Sequence, residues 1–268
     1  MKTTTIILFL LTVVVCNGQT IKVDTSKPVE QNEKILATMA DTAFYRGWKI
    51  NYKDSFDFED VFIANLLVVL KSPASFTYKF PLLNYKITKN FGRRINIIYS
   101  DDSLFRVFNW LSPTTGTFHH FLAIFQAKSK SGMVITSYPE ENYAEGDQAA
   151  TAYLSIYNLN QTPKQLYLCL GYGQGSGILP FEMIETYEVT NDSIKSSNIL
   201  LDSANMSSGI LIDREATMSN SNQQDIPMVK YDSKSQTLII PEIKRGDIRW
   251  TGKLIRLKFN GEKFVPIK

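Results

Sequence analysis

The spacing of the apolar residues changes once along this chain, at Pro73, and that change constrains the fold more than any other feature. Proline cannot continue a helix from its interior, so a helix that reaches this point must end there. On its N-terminal side the apolar residues recur at helical spacing on a single face: Phe58, Val61, Phe62, Leu66, Val69 and Leu70. Changing Leu66 to Asp should therefore be costly, since this face needs a partner surface.

Beyond Pro73 the apolar residues follow a period of two, beginning with Phe76, Tyr78 and Phe80. Short segments rich in β-branched and aromatic residues then alternate with turn residues, which is typical of antiparallel strands. We predict strands near residues 95–99, 104–110, 117–127, 132–137, 151–158, 165–171, 181–189, 209–212, 227–231, 236–240, 252–259 and 263–267. Asn260-Gly261 predicts a type I′ turn in the last hairpin.

These patterns predict a mainly β (α+β) fold class, in which N-terminal helices near 30–48 and 55–71 pack on a large antiparallel β domain starting at about residue 74. No helical segments alternate with the strands, which argues against a parallel sheet. No sequence repeat is clear enough to indicate a propeller or a solenoid. Residues 29–268 are expected to form a single domain.

The charge balance excludes one class of partner. The 268 residues carry 29 Lys and Arg against 26 Asp and Glu, a net charge of +3. Charges of both signs are interspersed, and nucleic-acid-binding domains usually show a much stronger basic excess. We expect no nucleic-acid partner.

The first residues indicate export. Lys2 provides a short positive region, and an apolar run extends from Ile6 to Val15 with one interruption at Thr12. About ten residues is the length of the apolar region of a signal peptide, and too short to span a bilayer. We predict a signal peptide over residues 1–16, followed by a polar tether over 17–28.

The end of the signal peptide has two interpretations. In the first, Cys16 becomes the acylated first residue of a bacterial lipoprotein, because the apolar run leads directly into Cys16-Asn-Gly-Gln. Val15 departs from that pattern, which has a small residue there. In the second, cleavage follows Gly18 and the protein is secreted with Gln19 at its N-terminus. Either way Cys169 has no partner for a disulfide, and its apolar surroundings predict a buried thiol.

The run from Ser100 to Trp110, followed by Thr115-Gly-Thr-Phe-His119, resembles a family of exported proteins and lipoproteins of Bacteroidota that has no assigned activity. Further matching segments are Ser72–Phe80, Tyr157–Leu159, Gln165–Leu168, Val229–Asp232, Gln236–Pro241 and Lys258–Phe264. The chain departs from the family pattern at Ser103, where the family has Gly, and at Asn109 and Leu111. The resemblance implies export and a shared fold, and it implies no chemistry.

Four residues form a candidate ligand-binding site: Asp102, Arg106, Trp110 and His119. Arg106 and Trp110 share one face of a strand by the two-residue period, so an arginine would lie beside aromatic rings. Such a face can bind a sugar or a peptide through stacking and hydrogen bonds. The alternative is structural: Arg106 covers an aromatic core with its aliphatic stem and pairs with Asp102.

Other candidate motifs are weaker. His119 and His120 would point to opposite faces of a strand and could not share a metal ion. The acidic stretch 139–147 lacks the spacing of an EF-hand. The Gly-rich stretch 171–177 lacks the Lys-Ser/Thr ending of a phosphate-binding loop, and we expect a flexible hairpin loop. We therefore assign no catalytic residue, no metal and no cofactor.

Together these observations predict an exported envelope protein of the periplasm or outer membrane, held to a membrane by lipid on Cys16, that binds a glycan or an envelope protein without catalysis. The alternative class is an exported hydrolase acting on glycans or peptides, since charge-rich loops could supply a pair of carboxylates.

Overall fold

The computed structural model describes residues 15–16, 19–20, 22–43, 52–84, 95–112, 120–137, 151–159, 163–174, 180–202, 205–213, 227–244 and 249–267. Strands make up about half of the described residues and form several antiparallel sheets, with three helices in the same ranges. The predicted mainly β fold class is therefore confirmed. None of the described helices is long and apolar enough to cross a membrane.

The helices are α1 (Val29–Asp41), α2 (Tyr52–Leu70) and α3 (Pro73–Thr77). The first two match the predicted helices, although residues 44–51, which include the predicted end of the first, lie outside the described ranges. The short helix α3 replaces the strand that the alternation of Phe76, Tyr78 and Phe80 predicted. The physical reason is that Pro73 lies at the first helical position, where its fixed φ angle and missing N–H carry no cost.

The described residues form seventeen strands, most of them in three antiparallel sheets. Two-residue strands β1 (Val15–Cys16) and β2 (Gln19–Thr20) pair with each other before α1. Sheet I is an antiparallel meander of β3 (Asn96–Tyr99), β4 (Phe105–Leu111), β5 (Phe121–Lys128) and β6 (Val134–Ser137).

Sheet II continues in the same way with β7 (Ala152–Asn158), β8 (Gln165–Gln174), β9 (Pro180–Val189) and β10 (Ile194–Ser196). A small pair, β11 (Leu200–Asp202) and β12 (Asn205–Ser207), follows. Strand β13 (Gly209–Asp213) then returns to β9. Strands β10 and β13 share the same edge of β9, because they pair with different parts of it.

Sheet III is a third antiparallel meander, made of β14 (Lys230–Asp232), β15 (Thr237–Lys244), β16 (Arg249–Phe259) and β17 (Phe264–Pro266). Its last connection is a four-residue loop and the predicted type I′ turn is absent. Among the loop residues only Gly261 has a positive φ, of 97°. The Asn260 side chain explains the difference, because its Oδ1 accepts the backbone N–H groups of Glu262 and Lys263 at 3.0 and 2.9 Å.

The layers stack in the order in which the chain makes them. The first apolar cluster joins α1 and α2 to one face of sheet I, through residues such as Leu66, Phe108 and Ile124. The second joins the other face of sheet I to sheet II, where Phe105 stacks on Tyr167 with ring centroids 4.8 Å apart. The third joins the far face of sheet II to sheet III and contains Leu166, Leu168, Ile184, Leu238, Leu257 and Phe259.

This stacking explains which strands have a nearly continuous apolar sequence. The side chains of β4 are buried from Phe105 to Trp110, and those of β8 from Gln165 to Cys169, because both faces of sheets I and II are covered. Three successive four-stranded meanders also constitute a structural repeat. Sequence alone did not indicate it, because the three meanders share no common motif.

Candidate functional site

Arg106 lies on the side of β4 that faces the helices, and the residue is only 1% exposed. Its Nε donates to Gln126 Oε1 at 2.7 Å, and Nη2 donates to the same oxygen. Its Nη1 donates to the Tyr78 carbonyl at 2.7 Å, and Nη2 donates to the Ser75 carbonyl at 2.6 Å. The guanidinium therefore fixes the end of α3 to sheet I, and each of its three nitrogens already has an acceptor.

Aromatic rings surround this cation. The Cζ atom of Arg106 lies 4.9 Å from the ring centroid of Phe108 and 5.3 Å from that of Phe80. Burial lowers the pKa of Arg106 from its usual range, an effect opposed by Tyr99. The aromatic surroundings thus agree with the structural alternative, in which the arginine covers an aromatic core. No described carboxylate forms an ion pair with it.

Trp110 shares the Arg106 face and is 1% exposed. Its indole N–H donates to Glu59 Oε1 at 2.9 Å, and the Ser112 hydroxyl donates to Glu59 Oε2 at 2.6 Å. Burial raises the pKa of the Glu59 carboxyl, while these two hydrogen bonds oppose the rise. Glu59 escaped sequence analysis because it lies on α2, 51 residues before Trp110.

Asp102 lies in the turn between β3 and β4 and does not pair with Arg106. Its Oδ1 accepts the Ser100 hydroxyl at 2.5 Å and the Leu104 N–H at 2.9 Å. Its Oδ2 accepts the Tyr167 hydroxyl at 3.0 Å and a hydrogen bond from Asn158 Nδ2. Both carboxylate oxygens are occupied, so Asp102 acts as the polar link between this turn and sheet II.

The four predicted ligand-binding residues therefore separate. Arg106 and Trp110 lie on one side of sheet I, Asp102 lies in the turn that contacts sheet II, and His119 lies outside the described residues. Ligand binding at these residues stays a prediction. The turn itself is strained at Ser103, whose φ is 59°. A left-handed conformation of this kind favours glycine over serine.

Asp101, next to Asp102, belongs to a different cluster, which we call the junction site: Asp101, Tyr157, Asn158 and Tyr231. It lies where sheets I, II and III meet. The Asn158 backbone N–H donates to Asp101 Oδ1 at 2.9 Å. The rings of Tyr157 and Tyr231 lie 5.0 Å apart, which joins β7 to β14. Asp101 is exposed and Tyr157 is half-buried, so the cluster reaches the surface.

Among the described residues, the Tyr231 hydroxyl is the one buried side-chain polar atom of the junction site that has no hydrogen-bond partner. Tyr231 is only 9% exposed, and its hydroxyl is buried without a partner. Burial raises the pKa of this hydroxyl, and the nearby carboxylates of Asp101 and Asp232 raise it further. Asp101 Oδ2, on an exposed residue, accepts no hydrogen bond from the described residues, since Oδ1 accepts the N–H groups of Asp102 and Asn158. An unpaired buried hydroxyl costs about 1–3 kcal/mol, so it calls for an explanation.

The residues of the junction site span 131 positions, from Asp101 to Tyr231. No spacing rule connects them, and only the stacking of the three sheets brings them together. The sequence contained one indirect hint. The segments around Asp101, Tyr157 and Tyr231 are among those that resemble the exported family, but that resemblance assigns no function to these residues.

A second polar cluster lies inside the contact between sheets I and II. The Tyr153 hydroxyl donates to Glu185 Oε2 at 2.8 Å and lies 2.9 Å from the Tyr187 hydroxyl. Cys169 is completely buried beside them, as predicted. Burial and the nearby Glu185 raise the pKa of its thiol, which makes it a poor nucleophile. This cluster is part of the packing between the two sheets.

The structure describes only part of the acidic and Gly-rich motifs that the sequence analysis considered. Residues 139–147, of the acidic stretch, lie outside the described residues. Gly171 and Gly173 belong to strand β8 rather than to the predicted flexible loop. The reason is close packing, because a Cβ at Gly173 would lie 1.9 Å from Phe181 Cζ. Within the described ranges, no group of three or more His, Cys, Asp or Glu side chains could hold a metal ion.

Comparison with protein-family models, with curated proteins and with solved structures found no match to this chain. The junction site therefore has to be interpreted from its own geometry.

Proposed function

We propose that this protein is a non-enzymatic binding protein of the cell envelope, and that the junction site binds a glycan. The observation that carries the proposal is the buried, unpaired hydroxyl of Tyr231 in the same cluster as the exposed carboxylate of Asp101, whose charge acts on that hydroxyl. The hydroxyl can donate and the carboxylate can accept, which matches the alternating requirements of sugar hydroxyls. The half-buried ring of Tyr157 offers the apolar face on which a sugar ring stacks.

The proposal makes opposite predictions for stability and for binding at Tyr231. Tyr231→Phe removes a buried hydroxyl that has no partner, so the melting temperature should stay the same or rise. The same substitution should weaken glycan binding by about tenfold, the value of one ordinary hydrogen bond of about 1.4 kcal/mol. Thermal melting and titration calorimetry on one preparation measure both quantities.

The binding experiment begins with a glycan array probed with the purified full chain. Asp101→Asn should weaken each retained glycan by about tenfold or more, because it removes a charged acceptor. Asp41→Asn is the matched control, since Asp41 is exposed at the end of α1. The proposal fails if no glycan is retained or if both variants lose affinity equally. Hydrolysis of a retained glycan would instead support the alternative, an exported hydrolase.

We also propose that the signal peptide delivers the protein to the periplasm or outer membrane, where lipid on Cys16 anchors it. The support is the apolar run that leads directly into Cys16-Asn-Gly-Gln, and the polar stretch that follows it. Intact-mass measurement of the native protein should give an N-terminus at Cys16 with added acyl mass. Cys16→Ser should move the protein from the membrane fraction to the soluble fraction. A mature N-terminus at Gln19 without lipid would establish ordinary secretion instead.

A further inference from the structure

None of the described elements packs as a further layer on the outer face of sheet III, and this face carries several cations. Lys230, Arg256 and Lys258 are exposed there, around the half-buried side chains of Ile239 and Val265. The register places Ile239 opposite both Lys230 and Arg256, and Lys258 opposite Val265. Arg256 and Lys258 lie two residues apart on β16, so they point to the same face. Cations and aliphatic side chains thus share one surface, together with the exposed Asp232, which lies two residues from Lys230 on β14.

Along one stretch of β16 consecutive side chains are exposed, although the residues of β15 that pair with Leu254 and Ile255 are buried. Every residue from Thr251 to Arg256 is exposed. Leu254 and Ile255, which are 42% and 38% exposed, are consecutive and therefore project to opposite faces. Beside them, the indole N–H of Trp250 donates to the Lys253 carbonyl at 3.1 Å, which fixes the position of the ring.

The positive charge of the protein is concentrated in this part of the chain. Residues 227–268 contain ten Lys and Arg against four Asp and Glu, a net charge of +6. The preceding 226 residues have a net charge of −3, so the overall value of +3 conceals a strong asymmetry. A surface of this kind attracts an anionic partner.

We propose that the outer face of sheet III and the exposed stretch of β16, together called the basic hairpin face, dock on an anionic lipid bilayer. Tryptophan and aliphatic side chains beside Lys and Arg are the combination that suits the membrane interface. A soluble polyanion would satisfy the cations but would leave Leu254, which lies two residues from Arg256 on the same face, in water. The inference does not depend on glycan binding or on lipid at Cys16, because it rests on the C-terminal sheet alone.

Vesicle sedimentation of the full chain tests the proposal. Binding should be strong to vesicles containing about one third phosphatidylglycerol and weak to phosphatidylcholine alone, and it should fall as salt rises. Lys253→Glu/Arg256→Glu/Lys258→Glu should weaken binding to the anionic vesicles by about 100-fold or more. Lys34→Glu/Lys71→Glu/Lys195→Glu makes the same change in net charge at exposed positions elsewhere, and should keep most of the affinity.

Tryptophan fluorescence adds a test that does not rely on charge reversal. Brominated lipids should quench the wild-type protein, and Trp250→Phe should remove most of that quenching although Trp48 and Trp110 remain. The proposal is overturned by equal losses in the two triple variants, by quenching that survives Trp250→Phe, or by equal binding to both kinds of vesicle. It is also overturned if the face binds an anionic polysaccharide but no vesicles, or if it pairs two copies of the chain in sedimentation equilibrium.

Discussion

Arg106→Met is expected to lower the free energy of unfolding by about 3 kcal/mol or more. Three buried oxygens, those of Gln126, Ser75 and Tyr78, would lose the donors that the guanidinium supplies. Methionine fills a similar volume among the aromatic rings, so the loss of stability should come mainly from the missing hydrogen bonds and less from a change in packing. Urea unfolding with a constant m value measures it.

Arg256→Met is the matched control, because Arg256 is exposed and should change stability by no more than about 0.5 kcal/mol. The double variant Arg106→Met/Gln126→Leu separates the network from the individual groups. Its loss should be smaller than the sum of the two single losses, since the pair acts as one unit. Additive losses would mean that Arg106 and Gln126 contribute independently, contrary to the geometry.

The second large effect is expected at Leu66→Asp, with a loss of several kcal/mol. Leu66 is completely buried in the cluster that joins the helices to sheet I, and an aspartate there would have no partner. Val68→Asp, two residues along the same helix, is the control because Val68 is 36% exposed. Thermal melting should show a large shift for the first variant only. Similar shifts in both would contradict the packing of α2.

The period of the apolar residues was enough to predict the fold class and most strands. The reason is that apolar residues recur every two positions or in short continuous runs in strands, but every three to four positions in helices. It failed at Phe76, Tyr78 and Phe80, where the local preference of Pro73 for a first helical position decided the structure. It also missed β10, β11 and β12, which are three residues each. Segments so short contain too few side chains to show a period.

The candidate site was harder to predict than the fold. Sequence correctly placed Arg106 and Trp110 on one face of a strand, but exposure depends on what packs over that face, here α3 and α2. The junction site depends on long-range stacking, since Asp101 and Tyr231 come from sheets that are separated in the layer order by sheet II. A sequence pattern confined to one segment carries no information about such contacts.

The order of the layers has a consequence for how the protein is made. Each sheet packs on the segment synthesised just before it, so a chain that emerges N-terminus first can complete the helices and sheet I before sheet III has been synthesised. Contacts then close mostly between neighbouring segments, which favours rapid folding for a β-rich protein. The apolar face of sheet II around Leu168 and Ile184 stays open to water until the last 40 or so residues arrive, about the length of sheet III. Premature termination in that final segment would therefore release a partly folded, aggregation-prone intermediate with an exposed apolar face. Chaperones would have to bind it, or proteases degrade it.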